Sequence, residues 1–207
     1  MSDRSAREGA VTARDVAEAA AGFADVIPAT PLQRNERLSR RYGLDVWLKR
    51  EDQSPVRSYK VRGAYNRISR LSPDERARGV VCASAGNHGQ GVAFACAALG
   101  VTARVHLPRT TPRQKRDRIA WLGDKQVTVV VEGDTYDDAA RSAERDAAET
   151  GAVLVPPFDD PRTIAGQGTV AAEIVAQLGR APDAVVVPVG GGGLLAGTLA
   201  WLREEAP

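Results

Sequence analysis

The 207 residues carry 28 Lys or Arg against 26 Asp or Glu, a formal charge of +2, which is too near zero to imply a nucleic acid or an anionic membrane as partner. Hydrophobic residues make up 43% and charged residues 26%, the balance of a globular chain able to bury a core. Aromatics reach only 5%, so the core is expected to be Ala, Val, Leu and Ile, and two isolated cysteines, Cys82 and Cys96, make no disulfide framework.

Residues 1–9 read as a frayed polar leader without the apolar stretch of a secretory signal. No apolar run approaches the ~18 residues of a bilayer span, so a reducing cytoplasm is the expected setting. Thr12-Ala-Arg-Asp15 has capping-box spacing, with Asp in the Glu/Gln position, and predicts a helix to about residue 26. Pro28 and Pro31 end it and favour extended chain over 27–32. After a short apolar run at 46–48, the pattern predicts helix over 61–71, a buried strand over 79–83, helix over 88–99 and strand over 102–107. Thr111-Pro112 fits a helix start with Pro at its first position, running to about Trp121. Strand at 127–131, helix at 137–150, strand at 152–155, helix at 163–178, strand at 184–189 and a last helix at 194–204 follow.

These strands are apolar throughout rather than alternating, as in a parallel sheet covered on both faces. Their alternation with helices predicts an α/β fold of open, mostly parallel twisted sheets with helices on both faces. Pro156-Pro157 is the strongest punctuation of the second half and a candidate domain crossing. The expected division is a smaller domain at 76–155, with 1–75 and 156–207 belonging to a larger one.

Open α/β sheets bind ligands at the carboxyl ends of their strands, and three turns there are chemically loaded. In Ser58-Tyr59-Lys60 a lysine stands where a helix begins. The positive end of the helix dipole disfavours its ammonium form and leaves an amine able to attack an aldehyde. A lone lysine is more often a solvated surface charge, but Tyr59 adds an aromatic face and Gly63-Ala64 keep the first turn slim. The second turn is Ser84-Ala85-Gly86-Asn87-His88-Gly89-Gln90-Gly91. Small residues there clear a path to consecutive N–H groups at a helix start, which can cradle a carboxylate. A tight turn with a Ser cap explains that segment about as well, and His88 by itself reads more readily as a structural histidine. The third is Gly190-Gly191-Gly192-Gly193-Leu194. A turn needs one or two glycines, so four suggest backbone amides wrapped around a phosphate. No Lys-Ser or Lys-Thr follows as in a P-loop, and the GxGxxG spacing fails. An amine nucleophile, an anion loop and a phosphate cup together describe pyridoxal 5′-phosphate.

The sequence resembles the biosynthetic threonine dehydratases (threonine ammonia-lyases) of pyridoxal phosphate fold type II, the tryptophan-synthase-β-like family. The likeness runs from Thr30-Pro31-Leu32 onward. It rests on Leu48-Lys-Arg-Glu-Asp52, Ser58-Tyr-Lys-Val-Arg-Gly-Ala-Tyr65, residues 84–91, Pro156-Pro-Phe-Asp-Asp160, Ile164-Ala-Gly-Gln-Gly-Thr169 and the four glycines. The resemblance implies that Lys60 is the Schiff-base lysine and the proton shuttle at the substrate α-carbon. It implies that Tyr59, at a position where many relatives have Phe, stacks near the cofactor, and that Asn87 hydrogen-bonds the cofactor's ring oxygen. Gly190, Gly191, Gly192, Gly193 and Leu194 would hold the phosphate, and Ser84, Ala85, Gly86, Asn87 and His88 the substrate carboxylate. The implied reaction eliminates water and ammonia from L-threonine to give 2-oxobutanoate, the entry step to isoleucine. Racemases of this branch place a second Ser in the loop, where this chain has Ala85, and a methyl group moves no proton.

Family catalytic domains continue beyond residue 207, so the resemblance implies a fragment or a shortened homologue, a homo-oligomer in its full-length form. Serine dehydratase, serine racemase and a pyridoxal-phosphate-binding remnant without turnover are the alternatives. Nucleic-acid binding through the basic run from Arg104 to Arg118 is a further one, diluted by Asp117 and Asp124 as in a solvated helix face. No metal site is expected, because only His88 and His106 are available and neither cysteine has ligand spacing.

Overall fold

The structure, a computed structural model, describes residues 10–205; the expected leader at 1–9 lies outside them. Helices α1 (Ala13–Phe23), α2 (Glu36–Tyr42), α3 (Lys60–Ser69), α4 (Pro73–Arg78) and α5 (Asn87–Leu99) are followed by α6 (Arg113–Gly123), α7 (Tyr136–Thr150), α8 (Pro161–Leu178) and α9 (Gly193–Glu205). The strands are β1 (Leu32–Arg34), β2 (Trp47–Lys49), β3 (Val80–Ala83), β4 (Ala103–Leu107), β5 (Val127–Val131) and β6 (Val153–Leu154). The expected capping box forms, with Thr12 and Asp15 reciprocally bonded. Pro112 proves to be the cap residue of α6 rather than its first helical position. Its ψ of 140° is extended, so the helix starts one residue later.

β3 to β6 form a parallel sheet in the order β5-β4-β3-β6, and β1 pairs antiparallel with β2. The parallel strands are mostly apolar because both faces are covered; Arg104 and His106 of β4 and Thr128 of β5 are the exceptions. Val80 and Cys82 of β3 join Val105 and Leu107 of β4 against Val92 and Cys96 of α5 and Ile119 of α6. Val81 turns the other way, onto Ala143 of α7 and Ala152. α7 is tied to the sheet by polar contacts as well. Arg104 of β4 grips Asp146 through two bonds of 2.6 Å, and Asp146 also meets His106 Nε2 at 2.8 Å.

On the far side of α5 lies a helical layer of α1, α3, α8 and α9. Its helices touch through glycines: a β-carbon on Gly166 of α8 would stand 2.6 Å from Gly63 Cα of α3, and one on Gly168 2.8 Å from Gly197 O of α9. α3 therefore lies between α5 and α8, and its first residue is Lys60.

The strand expected at 184–189 does not form. Its apolar residues have no strand beside them among the described residues, Val186 is 98% exposed, and an extended segment without a ladder partner is not a strand. Among the described residues no helix is long and apolar enough to cross a membrane, and no group of His, Cys, Asp or Glu could hold a metal ion.

Candidate active site

The site is assembled by one short crossing of the chain, residues 155–158, which leaves β6 for α8. His88, in the first turn of α5, bonds through Nε2 to the Val155 carbonyl at 2.9 Å. Two residues on, the Pro157 carbonyl accepts from Lys60 Nζ at 2.7 Å. The next side chain, Phe158, packs on the glycine loop. A β-carbon on Gly191 would run into its ring, and one on Gly193 would lie 2.8 Å from its carbonyl oxygen. Four consecutive residues thus touch all three loaded turns. α5 closes the arrangement from above, since a β-carbon on Gly91 would stand 3.1 Å from the backbone of Lys60.

Lys60 is half-buried, with Nζ 5.4 Å from the Tyr59 ring centroid. Burial lowers its pKa from the usual lysine value, and among the described residues no carboxylate stands beside it to restore that value. Just before it, Arg57 holds a φ of 57°, a left-handed backbone rarely taken by a long side chain, which turns the loop tightly into α3. Burial pushes the His88 imidazole down to about 4, and the Lys60 charge adds to that against the opposing bond to Val155.

In the second turn, Ser84 extends the β3 ladder by donating to the His106 carbonyl, and its Oγ accepts from Gly86 N at 3.2 Å. Gly86 caps α5 without a side-chain bond, so the first N–H groups of that helix are left uncapped. Ala85 is partly buried, while the Asn87 side chain is exposed and makes no hydrogen bond among the described residues. In the third turn, Gly190 and Gly191 are exposed, and Gly193 and Leu194 are buried. The glycines divide by role. Gly191 and Gly193 make room for Phe158, Gly192 needs its φ of 87°, and Gly190 has open space around it. Steric demands within the chain therefore account for three of the four.

Sequence reading marked Pro156-Pro157 as a domain crossing but gave the crossing no role in the site, and it assigned no role to the support beneath α3. Arg62, fully buried, bonds Glu51 at 2.8 Å and Glu173 of α8 at 2.5 Å, and Lys49 meets Glu173 at 2.6 Å. Burial alone would lower the Arg62 pKa, but the bonds to Glu173 and Glu51 raise it. The cluster balances two positive charges against two negative ones, and it fixes α3 to α8 and to the 3-10 turn Glu51–Gln53. The available signal was the pair of charges flanking Arg50, joined to an arginine two residues after the candidate lysine. Close by, the Gln167 amide lies against Gly63 with neither of its polar atoms partnered.

A family model described as pyridoxal-phosphate dependent enzyme matches residues 24–207. The chain belongs to this family. The biosynthetic L-threonine dehydratase IlvA of Mycobacterium tuberculosis is 56% identical over 191 residues, which is 92% of this chain and 44% of that protein. Its counterpart in Bacillus subtilis is 46% identical over 88% of this chain and 43% of its own length. Among solved structures, threonine deaminase isoform 2 of Solanum lycopersicum superposes with a TM-score of 0.87 at 41% identity, over 96% of this chain and 55% of that one. Maize serine racemase superposes with a TM-score of 0.89 at 31% identity, over 95% and 59%. The fold is that of these fold type II neighbours, and the chain spans about half the length of the curated relatives it matches.

Proposed function

We propose that this chain acts as part or all of a pyridoxal-phosphate-dependent threonine ammonia-lyase, eliminating water and ammonia from L-threonine to give 2-oxobutanoate. The observation that carries the reading is the convergence of Lys60, the α5 turn and the glycine loop on residues 155–158. The residues suit the cofactor. An amine with a lowered pKa, an uncapped helix start and a glycine loop opening a second helix match its aldehyde and its phosphate. When bound, pyridoxal phosphate supplies a carbonyl for covalent attachment and a ring that draws electrons from the substrate α-carbon.

Lys60 holds the cofactor and moves the proton at the substrate α-carbon. The Tyr59 ring flanks the Lys60 amine, and the Asn87 amide bonds a polar ring substituent. The N–H groups from Ser84 to His88 take the substrate carboxylate. Gly190 to Gly193 and the Leu194 amide take the phosphate. Ala85 offers no proton at the second face, which supports elimination over racemisation. We place the smaller domain at 76–155, which contains every strand of the parallel sheet. We expect a cytoplasmic setting, with which two buried free thiols are consistent, and we expect the full-length form to be a homo-oligomer.

Supplying the purified chain with pyridoxal phosphate and either L-threonine or L-serine tests the assignment. Release of 2-oxobutanoate supports it, and preferential pyruvate release moves it to a serine dehydratase. D-Serine as the main product indicates a racemase, and cofactor capture without product a remnant.

A further inference from the structure

His88 is buried with 4% of its surface exposed, and its ring is only half used. The Val155 carbonyl can only accept, so Nε2 carries the hydrogen of the 2.9 Å bond. Nδ1 is then a bare acceptor, and it has no partner among the described residues. Buried acceptors are nearly always satisfied, so one left open beside a reactive amine calls for a donor. Lys60 is the charged group that acts on this ring. Among the described residues its amine bonds one partner, the Pro157 carbonyl at 2.7 Å. The carbonyls holding His88 and Lys60 are two residues apart, in a stretch that two prolines bias toward extended backbone, where alternate carbonyls issue on the same side.

We infer that His88 is a positioning residue for Lys60, whose amine exchanges between the Pro157 carbonyl and His88 Nδ1. The inference rests on the reading of Lys60 as the reactive amine. To attack a ligand carbonyl, that amine must leave Pro157 with a hydrogen bond still holding it in place. Nδ1 provides that hold. Being uncharged, it orients the nitrogen while favouring the ammonium form far less than a carboxylate would. Burial keeps the ring neutral at any pH where the amine is reactive.

The two ring nitrogens can be separated by substitution. In His88→Gln an amide nitrogen reaches the Nε2 position and keeps the Val155 bond, but no acceptor replaces Nδ1. In His88→Asn the amide oxygen reaches the Nδ1 position and the Val155 bond is lost. The readout is the titration midpoint of Lys60 in the cofactor-free chain, from the pH dependence of its acylation by acetic anhydride followed by mass spectrometry. Loss of a hydrogen-bond acceptor disfavours the ammonium form, so His88→Gln should lower the midpoint by ~0.5 units or more while melting like the parent. His88→Asn should melt lower and keep the midpoint. A parent-like midpoint in His88→Gln overturns the inference and leaves His88 as an anchor of the crossing. A second measurement needs no change at His88. The Nδ1 resonance of the ¹⁵N-labelled parent should move when Lys60→Met removes the amine, and an unmoved resonance also overturns the inference. Neither readout uses cofactor or turnover, so failure of the proposed reaction would register separately.

Discussion

Lys60 occupies the first turn of α3 with its side chain half-buried and its amine bonded, among the described residues, only to a backbone carbonyl. Replacing it by Ala removes the nucleophile but little packing, so Lys60→Ala should keep the parent's melting temperature and lose all covalent capture of pyridoxal phosphate. Borohydride trapping and mass spectrometry of the peptide read this directly. Asn87 is exposed and bonded to nothing in the described chain. Asn87→Ala should therefore leave stability unchanged and weaken cofactor binding by ~0.5–1.5 kcal/mol, the worth of one hydrogen bond. A cofactor titration followed by absorbance gives that number. At this scale the sequence was informative wherever a residue type is unusual for its turn, as with Lys60 and Gly192. It marked Pro156-Pro157 as a crossing but gave Val155, Pro157 and Phe158 no role in the site, because a carbonyl acceptor is common to every residue type and leaves no mark in composition.

Elements were legible in the sequence where they bury an apolar face. α5, β4 and β5 lie within a residue or so of their expected bounds, and each packs into the core. α2 and α4 escaped because neither has such a face. Ser39 is the one buried residue of α2, and α4 has none. Both are held by their ends instead, Asn35 and Gly43 for the first, the Ser72–Glu75 capping box for the second. The Arg62 cluster was equally hidden, since its four charges come from four separate elements: β2, the 3-10 turn, α3 and α8. Its removal has a computable direction. Arg62→Met leaves partly buried Glu51 without its cation and Glu173 with Lys49 alone, and losing one partner of such a cluster costs about 3–5 kcal/mol. Chemical denaturation should show a loss of that order.

α7 offers a pH prediction. The Arg104 guanidinium beside Asp146, helped by His106, lowers that carboxyl from 3.8 to about 2. A carboxyl with a lowered folded pKa adds stability that is fully present above its unfolded value and lost as pH falls through its folded one. The contribution should hold above about pH 4 and fade between 3.8 and about 2. Thermal unfolding across that interval should fall more steeply for the parent than for Asp146→Asn, which has no carboxyl to protonate.

Across the whole molecule, the parallel sheet and its two covering layers followed from periodicity, while the segment 184–189 did not behave as its apolar composition suggested. Strand formation depends on a neighbour as much as on composition, and no described residue supplies one. Val186 and Val189, at 98% and 61% exposure, consequently face solvent beside the glycine loop. Apolar extended chain of this kind associates. Light scattering should show self-association that rises with concentration, and Val186→Lys with Val189→Lys should reduce it.

The glycine contacts in the helical layer also determine which positions can accept change. At Gly166 and Gly168 backbone from α3 and α9 occupies the volume a methyl would need, and the same holds at Gly63 and Gly197. Gly22 in α1 has nothing within 4 Å of its would-be β-carbon. Alanine there restricts the unfolded chain and favours the helix, so Gly22→Ala should add ~0.5–1 kcal/mol. In a saturation library scored for folded protein, α8 would then show two columns, one on each side of Gln167, closed to every residue but glycine. An engineer seeking a sturdier protein would gain nothing at that crowded seam and should begin at the open end of α1.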